Sequence, residues 1–194
     1  VIKCPYIPEG MKNVPLCGGQ RATCVGTAGA DLILGTEDDD VIVAGPGNDV
    51  VHGDAEDDII CGGLGRDRVI GGVGNDTLLG GSGAEDLRDV IYGGDGNDTL
   101  NAAEGKDVLL GGDGNDTFNA GDGSNSVDGG AGDDVIHVGN GANAIHGGEG
   151  NDTIIAGTGN DTLTGGIGND TLKGGSGDDA YVFRRGDGLE NIID

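Results

Sequence analysis

The chain has 194 residues, 45 of them Gly, with no Trp, two Phe and three Tyr, so large apolar side chains are too few for a thick globular core. Thirty-five acidic against ten basic residues give a net charge of −25, and such a polyanion is a poor partner for nucleic acid or anionic membranes. No apolar run approaches the ~20 residues that cross a bilayer, so membrane insertion is not expected; the chain is either disordered or neutralised by something cationic.

The chain begins at Val1 without a signal-peptide pattern and reads as a mature form or an excised fragment. Cys4, Cys17, Cys24 and Cys61 all fall in the first third, without zinc-type CxxC spacing. An even count near one end reads as disulfides and an oxidising compartment. Residues 1–25 are expected to form an N-terminal cap over the exposed first turn, since terminal units of solenoids need covers.

From Gly26 the chain divides every nine residues, as in GTAGADLIL, GTEDDDVIV, AGPGNDVVH and, later, GGVGNDTLL and GGIGNDTLK. Seventeen units begin at residues 26, 35, 44, 53, 62, 71, 80, 93, 102, 111, 120, 129, 138, 147, 156, 165 and 174. The unit at 80 carries four extra residues, about Ala84 to Leu87, expected to bulge from its turn. Positions 1, 2 and 4 are mostly Gly, which suits a turn with positive φ and close backbone approach. Position 6 is Asp in nearly every unit, and position 8 is apolar in the first sixteen.

A short strand with its middle residue inward gives this pattern. Six residues would turn and three would form a strand, and two units would close one coil. The expected fold is all-β, a parallel β-roll (β-solenoid) of about seventeen nine-residue half-turns over residues 26–180, closed by a C-terminal segment, 181–194. Its core is too thin to offset the ordering entropy of so many glycines. Stacked turns offer a hard cation carboxylates and backbone carbonyls, the donors that Ca²⁺ takes.

The repeat resembles the RTX (haemolysin-type) calcium-binding nonapeptide, GGxGxDxUx with U apolar, from residue 26 to about residue 183. CGGQRATCVGTAGADLILGT, with IICGGLGRD later, resembles the start of exported bacterial proteins of this type that carry a cysteine pair. YVFRRGDGLENIID resembles the family's closing segment. The resemblance implies Ca²⁺ in the turns and a secreted or cell-surface bacterial protein, and in the family such modules accompany toxins, proteases, lipases or adhesins.

Alternate units lie on opposite sides of a coil. The even side offers Asp40, Asp58, Asp76, Asp98, Asp116, Asp134, Asp152 and Asp170, with backbone carbonyls of turn residues such as Gly72, Gly74, Gly94, Gly96, Gly112, Gly114, Gly130, Gly132, Gly148, Gly150, Gly166 and Gly168. The odd side offers Asp31, Asp49, Asp67, Asp89, Asp107, Asp161 and Asp179. It is interrupted by Asn125 and Asn143 at position 6, and by Ala or Val at position 1 of the units starting at 44, 102, 120, 138 and 156. One full calcium row and one patchy row are expected; drift within a tolerant repeat is the alternative. About ten Ca²⁺ would nearly cancel the charge.

Cys61 sits at an outward position 9, so its partner must come from outside the roll. Of the three pairings that four cysteines allow, Cys17–Cys61 with Cys4–Cys24 is preferred. Leu32, Leu34, Val90, Tyr92, Val108 and Leu110 form an outward apolar strip on the odd side, either an interface or a product of strand propensity. The column Thr77, Thr99, Thr117, Thr153 and Thr171 suggests ice binding less than strand propensity. His52, His137 and His146 do not converge and no catalytic constellation is present, so the chain is read as non-catalytic. Its functions divide between a calcium-responsive folding module, a self-associating subunit of a filament, surface layer or matrix joined through the strip or the solenoid ends, and an appendage of a larger secreted toxin or hydrolase. The cysteines favour a cleaved N-terminal signal for export.

Overall fold

The computed structural model describes residues 1–81 and 88–193; the insertion about Ala84 to Leu87 lies outside them. Two ten-stranded parallel sheets face each other. The first contains β1 (Ile2–Lys3), β5 (Leu32–Leu34), β7 (Val50–Ala55), β9 (Arg68–Val73), β11 (Val90–Asp95), β13 (Val108–Asp113), β15 (Ser126–Ala131), β17 (Ala144–Glu149), β19 (Thr162–Ile167) and β21 (Ala180–Tyr181), in that order. The second contains β4 (Cys24–Val25), β6 (Val41–Pro46), β8 (Ile59–Leu64), β10 (Thr77–Gly81), β12 (Thr99–Asn101), β14 (Thr117–Asn119), β16 (Val135–His137), β18 (Thr153–Ile155), β20 (Thr171–Lys173) and β22 (Asn191–Ile193). A hairpin, β2 (Leu16–Cys17) with β3 (Gln20–Arg21), stands outside both.

Odd units supply the first sheet and even units the second, so two nonapeptides make one coil. Each strand pairs with the strand one coil on, as in Val41 with Ile59 and, across the insertion, Val69 with Ile91. The position-8 ladders meet in the middle. Ile33, Val51, Val69, Ile91, Leu109, Val127, Ile145 and Leu163 face Ile42, Ile60, Leu78, Leu100, Phe118, Ile136, Ile154 and Leu172, all buried. This core is one side chain thick from each sheet, so stacking one coil on the next does most of the burying.

Two details differ from a six-residue turn joined to a three-residue strand. After each odd unit from β7 to β19 the strand runs six residues, and the second and third residues of the following even turn also pair, as Gly72 does with Gly94 and Val73 with Asp95. Position 1 does not take positive φ, which is confined to positions 2 and 4, as at Gly72 (φ 134) and Gly74 (φ 143). Position 1 points inward instead. On the odd side Ala44, Ala102, Ala120, Val138 and Ala156 put their side chains into the core there, so these replacements fill space.

The N-terminal segment continues both sheets. Ile2 pairs with Ile33 and Cys24 with Ile42. Disulfides join Cys4 to Cys24 and Cys17 to Cys61. Cys17 and Ala22 pack with Val25 and Val41, against Val14, Val43, Ile59, Cys61 and Leu79, in a satellite core on the outer face of the second sheet.

Candidate metal centre

Position 6 carries the site. Its side chain follows the last turn residue and precedes an outward position 7, so it points into the stack. Asp40, Asp58, Asp76, Asp98, Asp116, Asp134, Asp152 and Asp170 form one buried column along the even edge; Asp49, Asp67, Asp89, Asp107, Asn125, Asn143 and Asp161 form the other. Asp31 and Asp179 close the ends of the odd column.

One carboxylate oxygen has a structural task. From Asp49 onward, Oδ1 of each residue accepts the backbone N–H of the position-6 residue one coil earlier, from Asp58 to Asp76 (2.8 Å) through Asp98 to Asp116 (2.7 Å) to Asp152 to Asp170 (2.8 Å). The odd column repeats it, from Asp31 to Asp49 (2.8 Å) through Asp89 to Asp107 (2.8 Å) to Asp161 to Asp179 (2.9 Å).

The second oxygen separates three kinds of turn. In the first, Oδ2 has no hydrogen-bond partner among the described residues: Asp58, Asp76, Asp98, Asp116, Asp134, Asp152 and Asp170 on the even edge, and Asp49, Asp67, Asp161 and Asp179 on the odd edge. A buried polar atom left in this way costs about 1–3 kcal/mol, more if charged. Repetition of that cost along a column calls for a partner outside the chain.

In the second kind, the chain supplies its own donors. Thr27 N–H and Oγ1 lie 2.7 and 2.8 Å from Asp31 Oδ2. Thr36 places the same groups 2.8 and 3.0 Å from Asp40 Oδ2.

In the third, an amide replaces the carboxylate. Asn125 Oδ1 keeps the ladder bond from Asp107 N–H, and Nδ2 donates to the Ala120 and Gly121 carbonyls at 3.2 Å each. Asn143 Nδ2 donates to the Gly139 and Gly141 carbonyls and to Asp161 Oδ1 at 2.9 Å. The amide orientation follows from the ladder, since only oxygen can accept that N–H. These two turns show where the carbonyls of positions 1, 2 and 4 point: at the outer atom of the position-6 side chain. With Asp there, oxygen faces oxygen.

The space beside position 1 fits the same reading. A Cβ on Gly93 would stand 2.2 Å from Asp98 Oδ2 and 2.7 Å from the Gly111 carbonyl of the next coil. At Gly147 the corresponding distances are 2.3 Å to Asp152 Oδ2 and 2.5 Å to the Gly165 carbonyl. A buried carboxylate oxygen and carbonyl oxygens thus converge with no nitrogen or sulfur donor among them. This all-oxygen set suits a hard cation such as Ca²⁺ rather than Zn²⁺, and the residues present fit the group. Burial raises the pKa to about 7 at Asp58, Asp116 and Asp152, and to about 6 at Asp67, Asp76 and Asp134; like charges above and below in the columns add at Asp58, Asp67, Asp116 and Asp152.

The family model for the RTX calcium-binding nonapeptide repeat (4 copies) matches residues 25–60, 52–84, 88–109, 110–145 and 146–181. The chain belongs to this family. It is a calcium-binding RTX β-roll, and no curated protein matches it.

Position 5 of the RTX unit also works, although it was not among the candidates from sequence. Asn75 N–H donates to Asp57 Oδ1 at 2.8 Å, Asn97 N–H to Asn75 Oδ1 at 2.9 Å, and Asn115 N–H to Asn97 Oδ1 at 2.8 Å. This outer ladder reaches toward the following coil, whereas the position-6 ladder reaches toward the preceding one. The recurring Asn-Asp pair was the available signal. His52 and His146 lie on the first sheet and His137 on the second; among the described residues no His/Cys/Asp/Glu group is arranged to hold a metal through side chains alone.

Proposed function

We propose that this chain is an extracellular, non-catalytic calcium-binding module that passes from disordered to rolled as Ca²⁺ enters its turns, and that it serves as a secreted or cell-surface structural or export-assisting element. The observation that carries it is the set of buried Oδ2 atoms without a partner among the described residues, continuous from Asp58 to Asp170 on the even edge and present at Asp49, Asp67, Asp161 and Asp179 on the odd edge. Asp58, Asp76, Asp98, Asp116, Asp134, Asp152 and Asp170 with the turn carbonyls would hold the metal on the even edge. On the odd edge Asp49, Asp67, Asp89, Asp107, Asp161 and Asp179 would do so, with the Asn125–Asn143 stretch metal-free. Asp31 and Asp40 are weaker ligands because Thr27 and Thr36 already donate to them. Bound Ca²⁺ supplies positive charge between facing oxygens; the chain's own ladders set coil register.

RTX proteins are typically secreted bacterial proteins, and their rolls are generally structural. A polyanion that binds cations only when folded draws its stability from them by linkage. About ten ions per chain would balance most of the charge. Circular dichroism in chelator, then with added Ca²⁺, tests the reading: disorder followed by a β spectrum is expected, and a fully ordered roll in chelator refutes it.

A second reading, self-association, is favoured by one contrast. The outer apolar residues of the second sheet near its N-terminal end lie under the N-terminal segment. On the first sheet Leu32 and Tyr92 remain 37% and 40% exposed. Light scattering over a concentration series in Ca²⁺ should show mass rising with concentration; a constant monomer mass rejects this reading.

A further inference from the structure

The segment after the last in-frame unit builds one more half-turn. Asn191, Ile192 and Ile193 pair with Thr171, Leu172 and Lys173, and Gly188 bridges Gly168. Asn191 N–H donates to the Asp170 carbonyl at 2.7 Å, as Thr171 N–H does to Asp152 at 2.8 Å. Gly186 (φ 106) and Gly188 (φ 121) repeat the positive φ of Gly166 (φ 117) and Gly168 (φ 154). A Cβ on Gly188 would lie 1.7 Å from the Gly168 carbonyl, the same separation as between Gly168 and the Gly150 carbonyl. Residues Arg185 to Ile193, R-G-D-G-L-E-N-I-I, are therefore an eighteenth nonapeptide, pushed two residues out of frame by Phe183 and Arg184. Glu190 stands at its position 6, beyond the residues matched to the family.

Among the described residues neither carboxylate oxygen of Glu190 makes a hydrogen bond of normal geometry, although the Asp170 N–H and carboxylate lie close to it. Asp170, 1% exposed, has an unpartnered Oδ2. Elsewhere on this edge Oδ2 shares the space beside its own position-1 glycine with a carbonyl of the following coil, as Asp152 does with Gly165. For Asp170 the following coil is the one that carries Glu190, and the two carboxylates lie against each other. Among the described residues neither Arg184 nor Arg185 forms an ion pair with Glu190. Two adjacent carboxylates repel unless they share a proton or a cation sits between them.

We propose that Asp170 and Glu190 form a terminal divalent-cation site, and that its occupancy fixes residues 185–193 on the end of the roll. This rests on the reading that the aspartate turns bind Ca²⁺. Glutamate at the slot makes no ladder bond of normal geometry to the Asp170 N–H, unlike the aspartates before it, although that N–H lies near its carboxylate.

The test uses the full chain, stripped with chelator and reloaded with Ca²⁺, and counts bound ions by native mass spectrometry beside amide hydrogen exchange. Glu190→Gln should bind one ion fewer than the unsubstituted chain. Exchange in 185–193 should rise at least ten-fold, with protection over residues 40–160 unchanged. Glu190→Asp should keep the ion. An unchanged count in Glu190→Gln, or loss of ions together with protection throughout the roll, overturns the proposal. Failure of the unsubstituted chain to take up any Ca²⁺ would instead overturn the underlying reading.

Discussion

Asp116 offers a way to separate the two tasks of a position-6 side chain. It is buried, its Oδ1 accepts Asp98 N–H at 2.7 Å, and its Oδ2 has no partner among the described residues. Asp116→Ala removes a proposed calcium ligand and also strands the Asp98 N–H inside the stack, a further cost of about 1–3 kcal/mol. Asp116→Asn removes the charged ligand but keeps the acceptor. Its Nδ2 can then donate to the Gly111 and Gly112 carbonyls, as Asn125 Nδ2 does to Ala120 and Gly121 at 3.2 Å. Both variants should bind one or two ions fewer than the unsubstituted chain, and to the same extent. In saturating Ca²⁺, chemical denaturation should rank the unsubstituted chain above Asn and Asn above Ala, with about 1–3 kcal/mol between the two variants. Equal stability of the variants would refute the idea that an amide stands in for the cation. A full ion count in Asp116→Asn would refute the assignment of Oδ2 as ligand.

The converse substitution is expected to add sites. Asn125→Asp with Asn143→Asp should raise the ion count by at least one, read by equilibrium dialysis; an unchanged count would show that carbonyl placement on that edge does not suit a metal. In chelator, the folded-state pKa of Asp58, Asp116 and Asp152 is raised to about 7 from 3.8. The folded chain then holds more protons than the unfolded chain between those values, so its stability falls as pH rises from about 4 to about 7. Chelated protein should show more β structure by circular dichroism near pH 4 than at pH 7.5, where Ca²⁺ should restore it; a gain of structure on raising the pH without metal would contradict this. Gly112→Ala should cost at least about 1–3 kcal/mol from its backbone conformation alone. Its φ is 128 and a Cβ would stand 2.0 Å from the Gly94 carbonyl. Gly29→Ala, with open space and ordinary φ, should change stability by less than about 0.5 kcal/mol in the same denaturation assay.

The nine-residue frame made the architecture legible because every coil solves the same problem. An apolar residue at position 8 must face inward, and Gly at positions 2 and 4 must let one carbonyl pass close to the next coil. What escaped the frame was each place where one residue type does another's work. Thr27 and Thr36 stand where most units have glycine, and each donates twice to its own aspartate. Ala44 and Ala156 read as damaged turns, but position 1 faces the core and their methyl groups pack there. The eighteenth half-turn was hidden by a two-residue slip and a Glu in place of Asp. A pattern search penalises both changes, while the stack tolerates them because backbone pairing resumes at Gly188.

The bond between Cys17 and Cys61 spans 44 residues and ties the N-terminal segment to the outside of the second sheet. A chain of near-identical coils has many alternative alignments of almost equal energy, in which one coil pairs with the wrong neighbour and the rest follow. Local pairing cannot tell coil three from coil five, since most offer the same glycines, the same inward aliphatic residue and the same aspartate. A covalent link between a unique segment and one particular coil removes that ambiguity at the start of the stack. Every later coil then has a single origin from which its place is counted.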